Sequence, residues 1–238
     1  MHGERVVAPD GTEVTLVGIG THMLRDSDRL RVWDVRLGPG GHHPWHLHRN
    51  PYVVLSIIGS TGRMDWLDGS PSRNISEYDG GAVFRPVSPV HCLTNTGSGR
   101  YRNRLIELKS LGEASATGLV DVGDGARSVE GVLPENAPET TDGRRPVLVT
   151  DFVRVWTIEI AGGDTAQISG DDAPHLVVEF DGDLEDDALT TSIREVESGT
   201  FSIVNEAARP RAWFVVALDY LAADSSTRDI PAQEEQQS

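Results

Sequence analysis

The residues best equipped for chemistry lie in one short run, Gly41-His42-His43-Pro44-Trp45-His46-Leu47-His48, which holds four imidazoles in seven positions. Imidazole is a neutral nitrogen ligand and an acid or base near pH 7, so the run offers metal binding or proton transfer. On a strand, alternate side chains share a face, which lets His46 and His48 address one ion while Leu47 turns away. Two ligands hold a metal weakly, so a third must come from elsewhere in the chain. The single cysteine, Cys92, excludes a thiolate cluster or an intrachain disulfide and leaves nitrogen and oxygen donors.

Such ligands need a rigid platform, and the rest of the sequence supplies one of β-type. Segments rich in β-branched and aromatic residues, Leu30–Leu37, Tyr52–Ile58, Gly81–Val87, Arg104–Leu108, Val153–Ile160 and Ala212–Leu218, are separated by Gly, Pro, Asp and Ser clusters. No long stretch shows capped 3.6-residue periodicity, so helix should be minor. Adding 123 to positions from Arg31 onward lands on matching residues: Arg31-Val32-Trp33 becomes Arg154-Val155-Trp156. Gly40 falls on Gly163, Pro51 on Pro174, Val54 on Val177 and Gly59 on Gly182, while Val35 and Leu37 meet Ile158 and Ile160. Two copies of one β-domain follow. The expected division is a first domain over 1–112, a connecting segment over 113–146, a second domain over 147–223 and a flexible polar tail over 224–238.

Two motif frames connect the histidine run to a known family. Gly40, His46, His48, the position of Tyr52, and Gly59 fit G-x5-HxH-x3-E-x6-G, and Gly80, Pro86, His91 and Asn95 fit G-x5-PxG-x2-H-x3-N. In these spacings the chain resembles the cupin superfamily, with two departures: Tyr52 replaces the glutamate ligand and Ser88 replaces the second glycine of the later motif. The resemblance implies an all-β chain of two tandem jelly-roll barrels. It also implies one divalent metal on His46, His48 and His91, with the other coordination positions open. Fe(II) suits three imidazoles best, and Ni(II), Mn(II), Co(II) and Zn(II) also fit. Tyr52 is the candidate catalytic residue, as a hydrogen-bond donor beside the metal, with a packing role or direct contact to the ion as the alternatives. His42, His43 and Arg85 are candidate substrate contacts. Arg104 also could bind a carboxylate, while Trp45 and Trp66 read as packing or rim residues.

The second copy lacks this set. At the same offset His46, His48 and Tyr52 map to Ser169, Asp171 and His175, and aligning Gly199 with Gly80 puts Asn205 and Pro210 at the places of Pro86 and His91. The second barrel is therefore expected to be metal-free, with an unusual site built on Asp171 and His175 as the alternative. A formal charge of -16, from 21 basic and 37 acidic residues, repels nucleic-acid phosphates and anionic membranes, so neither is expected as a partner. With no apolar run near the ~18 residues of a membrane span, the sequence reads as soluble and cytoplasmic. The resemblance adds an expected homodimer and a small-molecule substrate. It implies a metal-dependent enzyme, first a non-haem oxygenase on a small chelating organic compound. A redox-free Lewis-acid cyclase, isomerase or lyase, and a non-enzymatic small-molecule-binding bicupin, stand as alternatives.

Overall fold

The computed structural model describes residues 3–85, 87–111, 140–180 and 192–222. The expected connection over 113–146 and the tail over 224–238 lie outside the described residues, apart from 140–146, where a turn leads into a strand, and so do Pro86 and Gly182. The described strands form two units, each pairing within itself.

The first unit contains β1 (Arg5–Val7), β2 (Glu13–Thr15), β3 (His22–Asp26), β4 (Leu30–Leu37), β5 (His42–His46), β6 (Tyr52–Ile58), β7 (Thr61–Trp66), β8 (Arg73–Ser76), β9 (Ala82–Arg85), β10 (His91–Asn95) and β11 (Tyr101–Leu108). Apart from the β1-β2 hairpin they make two antiparallel sheets, ordered β3-β4-β11-β6-β9 and β5-β10-β7-β8, the pair of sheets of a jelly-roll barrel. The second unit contains β12 (Arg145–Val149), β13 (Arg154–Ile160), β14 (Thr165–Ile168), β15 (His175–Phe180), β16 (Ile193–Val196), β17 (Phe201–Val204) and β18 (Arg211–Ala217). Its sheets are ordered β12-β13-β18-β15-β16 and β14-β17, a reduced copy of the same plan. Among the described residues, no helix is long and apolar enough to cross a membrane.

Alternation along β4 and β11 decides what faces the first barrel's interior. The register pairs Leu37 with Tyr101, Val35 with Asn103 and Trp33 with Leu105. Val35, Leu37, Tyr101 and Leu105 join Ile19, Tyr52 and Val54 in one buried cluster. The opposite face of the sheet carries Asp34, fully buried, which accepts hydrogen bonds from Arg102 Nε at 3.1 Å and from Arg104 and Arg36. Arg104 is therefore paired on the outer face, the commoner place for an arginine on a strand, and does not serve as a carboxylate binder in the barrel.

The repeat is visible in hydrogen bonds. Gly40, at φ 70°, donates its N–H to Asn95 O at 3.0 Å, and Gly163, at φ 79°, donates to Asn205 O at 2.9 Å. Asn95 Nδ2 donates to the carbonyls of Leu37, Gly38 and Gly99, and Asn205 Nδ2 to those of Ile160, Ala161 and Arg209. The two asparagines thus hold one and the same turn in each unit. This equivalence corrects the alignment of Gly199 with Gly80, because Asn205 matches Asn95, which places Phe201, rather than Pro210, opposite His91. The offset falls from 123 to 110 between the two halves of the repeat. The β7-β8 hairpin of the first unit has no counterpart among the described strands of the second.

Candidate metal centre

His46, His48 and His91 converge in the first barrel, each offering one ligand atom, with all three atoms within 4.8 Å of one another. All three residues are at least 97% buried. His46 ends β5 and His91 begins β10, and the two are register partners. His48 lies past the end of β5, on the turn into β6, so a bend of the chain rather than strand alternation aims it at the other two. Leu47 between them packs away from the site, against Ala8, Leu16, Leu67 and Val90, with Trp45 at the edge of that cluster. Trp66 stands with its ring 5.3 Å from that of His91.

A β-bulge changes which neighbouring histidine joins the site. Between the pairs His91–His46 and Leu93–His43, β10 advances two residues while β5 advances three, so His43 and His46 both face inward. His43 is buried, with its ring 4.6 Å from that of His46, and its Nε2 donates to Gly18 O at 3.0 Å. His42, read from sequence as a substrate contact, is exposed and shares a hydrogen bond with Thr94 Oγ1 at 3.1 Å. Simple alternation would have turned His42 inward; the bulge turns it out.

The ligand nitrogens are set up by the backbone. His46 Nδ1 lies 2.8 Å from Pro44 O, and His91 Nδ1 lies 2.7 Å from Pro89 O. A carbonyl only accepts, so each Nδ1 carries the hydrogen, and each Nε2 keeps its lone pair. His48 Nδ1 is buried with no hydrogen-bond partner. Burial lowers the pKa of all three, holding His46 and His48 well below the ordinary range and His91 at about 4, with neighbouring charges adding to the effect. The imidazoles are therefore neutral at pH 7. Clustered, neutral nitrogen donors with no other partner for their lone pairs fit a divalent transition ion.

The two departures from the cupin frames meet each other. Tyr52 is buried and stacks on His48 with ring centroids 3.9 Å apart, and its hydroxyl lies 2.9 Å from Ser88 Oγ. Where the family frame has a glutamate and a glycine, this chain has a phenol and the hydroxyl that holds it. Burial raises the Tyr52 pKa, so the group stays a neutral phenol.

The cavity above the histidines has a volume of about 410 Å³, counted with its open mouth. Ile19, Val35, Val54, Leu93 and Leu105 give it apolar walls, and Arg85, Glu77, Tyr101 and Asn103 give it a polar part. Glu77, missed in the sequence, accepts hydrogen bonds from Ser56 Oγ at 2.7 Å and Tyr101 OH at 3.0 Å, and burial raises its pKa. Gly59 makes room for it: a Cβ there would stand 2.3 Å from Glu77 O. Glu77 falls in a polar turn, Ser76-Glu77-Tyr78-Asp79-Gly80, whose pattern is that of a surface loop. Asn103 gave the better clue, since Arg102-Asn103-Arg104 puts polar residues on both faces of the strand in succession.

In the second unit the same space is filled. The register pairs Ile158 with Trp213, as Val35 pairs with Asn103, so Trp213 takes the place of Asn103 and Phe201 that of His91. Both pack with Trp156, Ile158, Ile168, Val177 and Val215 in one core. His175, at the place of Tyr52, has its ring 5.3 Å from Phe201. Among the described residues, no second cluster of three or more metal-ligating side chains occurs.

Two tandem jelly-roll barrels, one with a three-histidine cluster and one filled, give this chain the fold of a bicupin. No protein-family model matches the sequence, and no curated protein matches it. Solved structures do. Oxalate decarboxylase from Bacillus subtilis matches with TM-score 0.54 at 12% identity over 81% of this chain and 69% of that one. AerE from Microcystis aeruginosa matches with TM-score 0.54 at 10% identity over 85% and 95%, and vicilin from hazelnut, Corylus avellana, with TM-score 0.50 at 8% over 80% and 75%. At these identities the likeness is one of fold.

Proposed function

We propose that the first barrel is the centre of a metal-dependent enzyme, an oxygenase acting on a small chelating organic compound, with Fe(II) the favoured ion on His46, His48 and His91. The observation that carries this reading is the pair of proline carbonyls that fix the His46 and His91 tautomers and leave their Nε2 lone pairs free, in a cluster whose ligand atoms, with that of His48, lie within 4.8 Å of one another. A B. subtilis oxalate decarboxylase of the same fold is described with Mn(II) centres, which supports a divalent transition metal in such a barrel. Bound there, the ion supplies Lewis acidity and, when redox-active, one-electron chemistry with dioxygen.

The chain's own residues do the rest. Apolar walls exclude bulk water, which strengthens every polar contact to a ligand inside. Tyr52, its hydroxyl held by Ser88, stands beside His48 as a neutral hydrogen-bonding phenol. His43, its Nε2 hydrogen on Gly18 O, is oriented without being a fourth lone-pair donor through that nitrogen.

Glu77 favours a second reading, in which the ion acts only as a Lewis acid and a cyclase, isomerase or lyase reaction proceeds without redox change. Burial raises the pKa of this carboxyl, which suits a group that exchanges a proton with a substrate. Metal analysis and oxygen uptake separate the two. The oxygenase reading expects iron-dependent oxygen consumption with a chelating substrate, lost in His46→Ala and His91→Ala. Turnover unchanged without oxygen, supported by zinc, would replace it with the Lewis-acid reading.

A further inference from the structure

Arg85 is 96% buried at the end of β9, borders the cavity, and lies register-paired with Tyr52. Its one hydrogen-bond partner among the described residues is Met64 Sδ at 3.8 Å, a weak acceptor, and no carboxylate lies within ion-pair distance. The nearby acid of the cavity is otherwise engaged, since each Glu77 oxygen accepts from a hydroxyl, Oε2 from Ser56 and Oε1 from Tyr101. A guanidinium is always charged, and Glu77 answers the charge of Arg85 only at longer range, so most of the guanidinium's hydrogen-bond donors are left without an acceptor.

Asn103 leaves a second polar atom without a partner in the same cavity wall. Tyr101 donates its hydroxyl hydrogen to Glu77, so it can only accept from Asn103, whose Nδ2 lies 2.7 Å away. This fixes the amide, and Asn103 Oδ1 is left buried with no donor. The wall of the cavity thus holds a guanidinium with no carboxylate in ion-pair range and an acceptor with no donor.

We infer that the ligand of this cavity carries a carboxylate, bound by the Arg85 guanidinium, and a hydroxyl or amino hydrogen, accepted by Asn103 Oδ1. The inference rests on the cavity being the substrate site, and it narrows the substrate class to small hydroxy or amino acids. Arg85 anchors the carboxylate, which leaves the remaining heteroatoms to face the three histidines.

The test uses metal-free full-length protein, because a bound ion would itself attract a carboxylate. Binding of 2-hydroxypropanoate, its amide and propanoate is followed by NMR titration. The wild type should prefer 2-hydroxypropanoate to its amide by about tenfold or more, the range expected of a charge-assisted hydrogen bond. Arg85→Gln should erase that preference and Arg85→Lys keep most of it. Asn103→Leu should reduce the preference for 2-hydroxypropanoate over propanoate by about threefold to tenfold. Equal binding of acid and amide by the wild type overturns the assignment, as does a preference that survives in Arg85→Gln. Should Arg85→Gln fail to fold, the wild-type comparison and Arg85→Lys still decide. Metal uptake, measured by equilibrium dialysis, separates this from the wider reading. Carboxylate preference without metal uptake supports Arg85 and removes the metal centre; metal uptake without carboxylate preference does the reverse.

Discussion

The Tyr52–Ser88 contact yields a prediction that can be worked through. Both residues are buried, at 2% and 0% exposure, and their hydroxyls lie 2.9 Å apart. Tyr52→Phe removes one hydroxyl and leaves Ser88 Oγ buried without this partner, at an expected cost of about 1–3 kcal/mol. Ser88→Ala strands the phenol at a similar cost. In the double variant neither hydroxyl remains to be satisfied, so its cost should fall short of the sum by about 1–2 kcal/mol. Because two units need not unfold together, the free energies should be read by hydrogen exchange of peptides from β6 and β10 rather than from a single melting curve. A second readout addresses the chemistry. A neutral phenol beside the ion contributes no ligand bond, so Tyr52→Phe should change the dissociation constant for Zn(II) or Mn(II) by less than about tenfold, the lower edge of the effect seen on losing a supporting hydrogen bond. Additive costs would refute the paired replacement. A loss of metal affinity far beyond a hundredfold would make Tyr52 a ligand and refute the three-nitrogen centre.

Other expectations follow from features of each barrel. His46→Ala and His91→Ala should each reduce metal stoichiometry from one per chain to near zero in equilibrium dialysis while the far-ultraviolet β signature is retained. Trp213→Ala should destabilise the second unit by about 3–5 kcal/mol, the range for losing a large buried aromatic, with faster exchange in β13 and β18 and unchanged metal uptake. Burial holds His175 below its ordinary pKa of 6.5, so the folded protein binds fewer protons there than the unfolded chain. Stability from this group is present above about pH 6.5 and is lost as pH falls below it. Urea midpoints of metal-free protein should therefore drop between pH 7.5 and 5.5, and His175→Phe should lessen the drop.

How far the sequence reached can be judged residue by residue. β4 and β6 were legible end to end, because their alternation and β-branched content are strong and their flanks are clear breakers. The convergence of His46, His48 and His91 was legible through the spacing of both frames. The bulge in β5 was not, since nothing in His42-His43-Pro44-Trp45-His46 shows which residue is the extra one, and it reversed the places of His42 and His43. The second barrel's alignment failed for a related reason: a change of offset between repeats leaves glycines such as Gly80 and Gly199 plausible partners until the turn bonds of Asn95 and Asn205 reveal the true one. Glu77 and Asn103 depend on which way a turn and a strand face, and that is decided by packing across sheets.

The carbonyls of Pro44 and Pro89 bear on how such a protein can change over time. Each lies two residues before a histidine of the centre, on a residue whose φ is locked. The hydrogen that fixes each imidazole is received by main chain, and no single side-chain replacement elsewhere can delete that acceptor. Replacing Arg85, Asn103 or Tyr52 therefore leaves in place the main-chain acceptors that fix the two imidazoles. The cavity wall is thus open to change by side chain while the imidazole tautomers are held by backbone.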